Sequence, residues 1–279
     1  MTTTRDFTQL DVFTDAPLKG NALAVVHAAQ GLSDAQMRDF ARWTNLSETT
    51  FLLPPTDPAA DYHVRIFTTT RELPFAGHPT LGSCHAWLAA GGRPQSDAQV
   101  VQQCGVGLVR VRRDAGRLAF VAPPLIRSGV VDAPTLAQIA RALRIEPAAI
   151  RASQWVDNGP GWVAVMLSSR DEVLALQPDY AAMLPLEIGV VAPCPGGHDA
   201  QFEVRAFIPG GGANEDPVTG SLNASLAQWL IGAGLAPPRY VVAQGTALGR
   251  AGRVFIVRRD DGIWVGGGCV TVIQGSVAL

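Results

Sequence analysis

The sequence predicts an α+β protein of two similar domains, each a sheet wrapped around one central apolar helix, the pair related by pseudo-twofold symmetry. Three observations predict it. A pattern recurs at an offset of about 140 residues (Val64 to Val204), half of the 279-residue chain. Each copy holds one helix nearly free of charge. Twenty-nine glycines and 20 prolines fit many short strands joined by tight turns.

In chain order, Leu32 to Thr44 reads as an amphipathic surface helix, and Phe51-Leu52-Leu53 as an apolar strand. Val64-Arg65-Ile66-Phe67 is a strand, then comes a loop, and Pro79 to Ala90 is a helix closed by Gly91. Val111 to Gly116 holds a hairpin signal at Asp114-Ala115-Gly116. Pro123-Pro124 ends the run, and a helix over Ala133 to Ala148 follows. The second copy then repeats the first. Val204-Arg205-Ala206-Phe207 is the strand, Pro217 to Gly232 the helix, and Val257 to Gly262 the hairpin. A helix apolar all round has to be buried, so a sheet wraps each one. The break falls near Arg127 to Ala133, giving domains 1–127 and 128–279, each of ordinary domain size.

Composition excludes several function classes. Hydrophobic residues make up 47% and charged residues 16%, the balance of a globular protein with a large core. A formal net charge of −2 argues against nucleic-acid and membrane-surface partners, which need a basic stripe. The opening segment lacks the apolar core of a signal peptide, and no apolar run approaches a membrane span. Cys84, Cys104, Cys194 and Cys269 are far apart, so reduced thiols and a cytoplasmic location are expected. His27, His63, His85 and His198 show no metal-ligand spacing, and His85 sits among apolar helical residues as a core residue would. Gly210-Gly211-Gly212 lacks the pattern of a phosphate loop, and no nucleotide cofactor follows from it.

The two apolar helices begin at Gly77-His78-Pro79 and Asp216-Pro217. Backbone N–H groups at helix starts carry partial positive charge and bind anions, and Gly77, Gly82 and Gly220 allow close approach. Two such starts facing one cleft would hold a carboxylate, unless the glycines serve only helix–sheet packing. Glu48 enters an apolar strand, where burial raises a carboxyl pKa toward the range of a general acid/base; the plainer reading is a solvated carboxylate at a strand edge. His78 either hydrogen-bonds a substrate or caps its helix. Asp216 is a candidate of the same kind or an N-cap. Ser221 binds a substrate oxygen or its own backbone. A thiol–imidazole pair of Cys194 and His198 is disfavoured by the turn-like loop between them.

Asp11-Val12-Phe13-Thr14, Lys19-Gly20-Asn21-Ala22, Ser47-Glu48-Thr49-Thr50-Phe51, Gly77 to Gly82 and Glu215 to Ser221 together resemble the PhzF-like phenazine-biosynthesis family, over essentially the whole chain and in order. The resemblance implies a diaminopimelate epimerase-like fold of two β-barrel-like domains with the active site between them. It also implies isomerisation of a small, possibly cyclic carboxylate such as trans-2,3-dihydro-3-hydroxyanthranilate, without metal or organic cofactor. By resemblance Glu48 is the proton-shuttling acid/base, with His78 and Asp216 beside it. Asn21, Gly77, Gly220 and Ser221 bind substrate, and the protein is a homodimer. One departure is visible: the family's Gly-Asn-Pro is Gly20-Asn21-Ala22 here. A racemase or epimerase of the same fold would carry a thiol at each helix start, where this chain has none. A non-catalytic binder of small acids is the remaining alternative.

Overall fold

The computed structural model describes residues 3–114, 116–210 and 214–279; Gly211 and Gly212 of the glycine run, and Ala115 of the first hairpin signal, lie outside them. Two compact units are present, one running to Val121 and including Gly266–Leu279, the other Ala122–Val265.

In the first unit β1 (Thr4–Val12) pairs antiparallel with β2 (Asn21–Val26). Helix α1 (Asp34–Thr44) leads to β3 (Glu48–Leu53), which lies parallel to β2 and antiparallel to β4 (Tyr62–Phe67). The short β5 (Glu72–Leu73) folds back on β4, α2 (Gly77–Ala89) follows, and β6 (Gln99–Cys104) returns parallel to β4. Strands β7 (Gly107–Asp114) and β8 (Arg117–Val121) continue antiparallel. Helix α1 forms because Ser33 and Gln36 close a capping box at its start, and it buries Met37, Phe40 and Ala41 against Phe51 and Phe67.

The second unit holds β9 (Arg127–Gly129), α3 (Ala133–Leu143), β10 (Ala152–Asp157), β11 (Trp162–Met166), α4 (Arg170–Ala175) and α5 (Tyr180–Met183). It continues with β12 (Glu187–Pro193), β13 (Phe202–Phe207), β14 (Glu215–Asp216), α6 (Gly220–Gly232), β15 (Arg239–Gln244), β16 (Gly252–Arg259) and β17 (Gly262–Gly267). Its pairings run in the same senses as the first unit's. Strands β10 and β11 are antiparallel, β11 and β12 parallel, and β12 and β13 antiparallel. Strand β14 folds back on β13, β15 lies parallel to β13, and β16 is antiparallel to β15. The last strand, β18 (Cys269–Ala278), pairs antiparallel with β1 and belongs to the first unit.

Both apolar helices are buried as expected, but their limits differ from the reading of the sequence. Helix α2 starts at Gly77, and α6 starts at Gly220, three residues beyond Pro217. The reason is the β13–β14 pairing, Ala206 opposite Asp216 and Phe207 opposite Glu215, which keeps the chain extended through Asp216. Helix α3 ends at Leu143, well short of Ala148, because Arg144 turns into the left-handed region at φ 56. His85 is half-buried rather than a core residue, and its Nε2 lies 3.0 Å from the Thr271 hydroxyl.

One ion pair recurs in both units. Arg65 grips Glu72 through Nε and Nη2 at 2.7 and 2.6 Å, with its guanidinium 5.1 Å from the Phe67 ring centre. Arg205 grips Glu215 in the same bidentate way at 2.9 and 2.7 Å, 4.9 Å from the Phe207 ring centre. The fork of arginine matches a carboxylate in this geometry.

Gly82 lets α2 lie close on the sheet. A Cβ there would stand 2.5 Å from Leu23 Cδ2 and 3.0 Å from Val12 Cγ2, both fully buried. Overpacking of this kind costs about 1–3 kcal/mol. Gly82→Ala is therefore expected to lower the urea midpoint; a variant as stable as the parent would mean that Leu23 yields without strain.

Candidate active site

Three of the four site residues expected in the first unit meet. Asn21 opens β2 and Glu48 opens β3, and the parallel register of those strands sets Leu23 opposite Glu48. His78, in the first turn of α2, reaches toward both. Its Nδ1 lies 3.4 Å from Asn21 Nδ2, and its Nε2 lies 3.3 Å from Glu48 Oε2. Gly77, next to His78 in sequence, is the first residue of α2 and is buried. The His78 side chain is 6% exposed and the Glu48 side chain 16%.

Burial pushes the His78 imidazole down to about 3, partly opposed by its hydrogen bond to the Ala22 backbone. The ring is therefore neutral at neutral pH, and the Glu48–His78 contact is not an ion pair of charged groups. Nε2 makes no hydrogen bond, so the bond to the Ala22 carbonyl is donated by Nδ1–H, and Nε2 is left as the lone-pair nitrogen 3.3 Å from Glu48 Oε2, outside hydrogen-bonding geometry.

A pH dependence of stability follows. The folded state holds the His78 proton more weakly than the unfolded chain, whose imidazole keeps the ordinary 6.5. Stability from this group is complete above that value and is lost as pH falls toward about 3. Between pH 6.5 and 5 the loss is about 2 kcal/mol. His78→Gln should remove that part of the slope in urea unfolding at pH 7 and pH 5. An unchanged slope would refute the neutral buried imidazole.

In the second unit Asp216 lies in β14 and is not an N-cap; Thr219 occupies that position, and neither α2 nor α6 receives a side-chain hydrogen bond from its N-cap. The Thr219 hydroxyl donates to Asp216 Oδ2 at 2.6 Å. Gln244, fully buried, fixes that direction: its Nε2 donates to Thr219 Oγ1 at 2.9 Å and to the Asp216 carbonyl at 3.1 Å. Its Oε1 accepts from the Thr219 N–H and from Asn223. Gly220 begins α6 and is buried. Ser221, next in that turn, accepts at Oγ from the Trp162 indole N–H at 3.1 Å, while its carbonyl accepts from Asn158 Nδ2 at 3.0 Å.

Thr219, Gln244, Trp162 and Asn158 were not singled out from the sequence. For Asn158 the available signal was the turn-rich run Asp157-Asn158-Gly159-Pro160-Gly161. Trp162 and Gln244 carry no local mark. Among the described residues no group of three or more His, Cys, Asp or Glu is placed to hold a metal ion, and no helix is long and apolar enough to cross a membrane.

Comparison with known proteins gives a consistent answer. A family model described as phenazine biosynthesis-like protein (PhzC-PhzF) matches residues 10–275. Antisense-enhancing sequence 1 of Schizosaccharomyces pombe is 33% identical, covering 98% of this chain and 99% of its own. The trans-2,3-dihydro-3-hydroxyanthranilate isomerase of Pseudomonas fluorescens is 32% identical, covering 97% and 98%. A crystal structure of a PhzF family protein from Enterococcus faecalis superposes with a TM-score of 0.83 at 23% identity, covering 99% of this chain and 100% of that one. With a match across nearly its whole length, the chain is an isomerase of the phenazine biosynthesis-like (PhzC-PhzF) family.

Proposed function

We propose that the protein moves a proton between carbons of a small carboxylate, with Glu48 as the single acid/base. The observation that carries this reading is the contact of Glu48 Oε2 with the lone-pair nitrogen of a neutral His78 at 3.3 Å. These two buried atoms do not meet in hydrogen-bonding geometry, so the neutral ring leaves the proton of the carboxyl group to the substrate. As the acid Glu48 gives a proton to one carbon, and as the carboxylate it then draws a proton from another position of the substrate. Roles for Asp216 in catalysis and for Gly77, Gly220 and Ser221 in substrate binding belong to the same proposal.

The substrate proposed is one like trans-2,3-dihydro-3-hydroxyanthranilate, the compound named for the Pseudomonas fluorescens relative. Thiol chemistry is a poor fit. Cys84 is the eighth residue of α2, fully buried, with its thiol pushed up to about 12. We further propose that residues 1–127 and 128–279 derive from one duplication, supported by the matching strand senses and the recurring Arg–Glu pair. A homodimer, to be tested by light scattering, and a cytoplasmic location, supported by four free cysteines, complete the proposal.

The test is turnover of trans-2,3-dihydro-3-hydroxyanthranilate in deuterated water, followed by NMR. Isomerisation with deuterium entering a ring carbon is the expected result. If the protein binds this acid and related cyclic amino and hydroxy acids but exchanges no proton in any of them, it is a binder and not an isomerase.

A further inference from the structure

Glu48, Asn21 and His78 stand on three different elements, β3, β2 and α2, which have to be held in step for the three side chains to meet. Alternation along β3 turns Glu48 and Thr50 to one side of the sheet, and Thr49 and Phe51 to the other. Thr49 and Phe51 meet α1: the Thr49 hydroxyl lies 2.9 Å from that of Thr44, and Phe51 packs with Met37 and Phe40. Glu48 and Thr50 meet α2. Glu48 approaches His78, and two residues further on Thr50 Oγ1 accepts the Ser83 hydroxyl at 2.9 Å. Two residues of strand rise about 6.6 Å and five residues of helix about 7.5 Å, so the two contacts run in step.

Thr50 passes the connection on to β2. Its own hydrogen goes to the Ala24 carbonyl at 3.4 Å, which leaves a lone pair for Ser83. Ala24 follows Ala22, whose carbonyl accepts from the His78 ring, and Asn21 on the same strand. Two hydroxyls in series therefore join the three elements that carry the site. Ser83 and Thr50 are fully buried, so no water replaces a bond that is lost. A second buried bond of α2, from Gln102 Nε2 to Thr80 Oγ1 at 3.1 Å, ties the helix to β6, which carries none of the candidate site residues.

We propose that Thr50 and Ser83 are positioning residues, whose bond sets the separation of Glu48 from His78 and with it the place from which the carboxyl proton is delivered. This rests on Glu48 being the acid/base. Neither hydroxyl acts on the substrate; each acts through the element that it holds.

The experiment joins turnover of trans-2,3-dihydro-3-hydroxyanthranilate to proton NMR of the free full chain. Thr50→Val and Ser83→Ala should each lower kcat by about 10–10²-fold, the scale of a misplacement approaching 1 Å, with KM within about twofold of the parent's. The double variant should be no slower than the slower single one, since all three lack the same bond. Thr50→Ser keeps the hydroxyl and should keep kcat within about threefold. Tyr62→Phe removes a bond as deeply buried, to Gln102 Oε1 at 2.9 Å and away from β3, and should leave kcat unchanged. In the free protein the Nδ1–H resonance of His78, identified by its loss in His78→Gln, should shift in Thr50→Val and Ser83→Ala and stay in place in Thr50→Ser. Parental kcat in Thr50→Val and Ser83→Ala, losses that multiply in the double variant, or an unmoved resonance would overturn the assignment. So would Thr50→Ser or Tyr62→Phe as slow as Thr50→Val. Ser83→Ala decides if Thr50→Val fails to fold. A moved resonance in a protein that turns over no acid refutes the isomerase reading alone, and an inert Glu48→Gln beside a parental Thr50→Val refutes the positioning role alone.

Discussion

Glu48→Gln is expected to lower turnover of the isomerised acid by about 10²–10⁴-fold, the range that a positioned general acid/base contributes, while leaving KM and the melting temperature close to the parent's. The amide has the shape of the carboxyl group, so it fills the same place 3.3 Å from His78 Nε2. What it lacks is a proton it can release to carbon. Glu48→Asp keeps the acid but withdraws it by one methylene, and misplacement on the order of 1 Å costs about 10²-fold. The two variants should therefore both be slow, for different reasons, and only Glu48→Gln should abolish deuterium entry. A Glu48→Gln enzyme with parental kcat, or one affected in KM alone, would remove Glu48 from the chemistry.

Arg205→Ala should destabilise the protein by about 3–5 kcal/mol, the cost of leaving one member of a buried ion pair alone. Both side chains of the Arg205–Glu215 pair are 6% exposed. The guanidinium is committed elsewhere as well: Nη1 donates to the carbonyls of Val173 and Leu176 at 3.2 and 2.9 Å, closing the end of α4. Truncation strands a carboxylate and two carbonyls together. The equivalent Arg65 is 21% exposed and its partners Asp34 and Glu72 are 63% and 42% exposed, so water takes over when it is removed. Arg65→Ala should cost no more than about 1 kcal/mol. Urea unfolding of the two variants side by side checks this. Equal losses would show that burial does not separate the two copies of the pair.

What is legible in the sequence depends on how far apart the partners lie along it. The strands holding Arg65 and Arg205 and the two apolar helices were legible because each is a local pattern repeated at one offset. Glu48 and His78 were each recognisable as candidates, but their contact arises from the register of β2 on β3 and of α2 over both, and no spacing encodes it. For Asp216 the sequence left an N-cap open beside a role in the site, for a similar reason. Asp before Pro favours a cap locally, and the pairing with Ala206 overrides it. Asn158 and Ser221 are 63 positions apart and neither residue type marks the other, so only the folded chain brings out that bond.

The pairing of β18 with β1 has a consequence for synthesis. Thr4 lies opposite Ala278, and the Thr3 N–H donates to the Leu279 carbonyl at 2.7 Å, so the first strand made waits for the last. At about 5–20 residues per second the ribosome needs roughly 13–50 s to pass from Val12 to Cys269. The second unit is one uninterrupted stretch and can finish while the first is still short of a strand. During that interval the edge of β1 is open to any other extended chain. Nascent copies of this protein therefore depend on the speed of their own completion, and a stalled ribosome leaves the Glu48-bearing half unsealed.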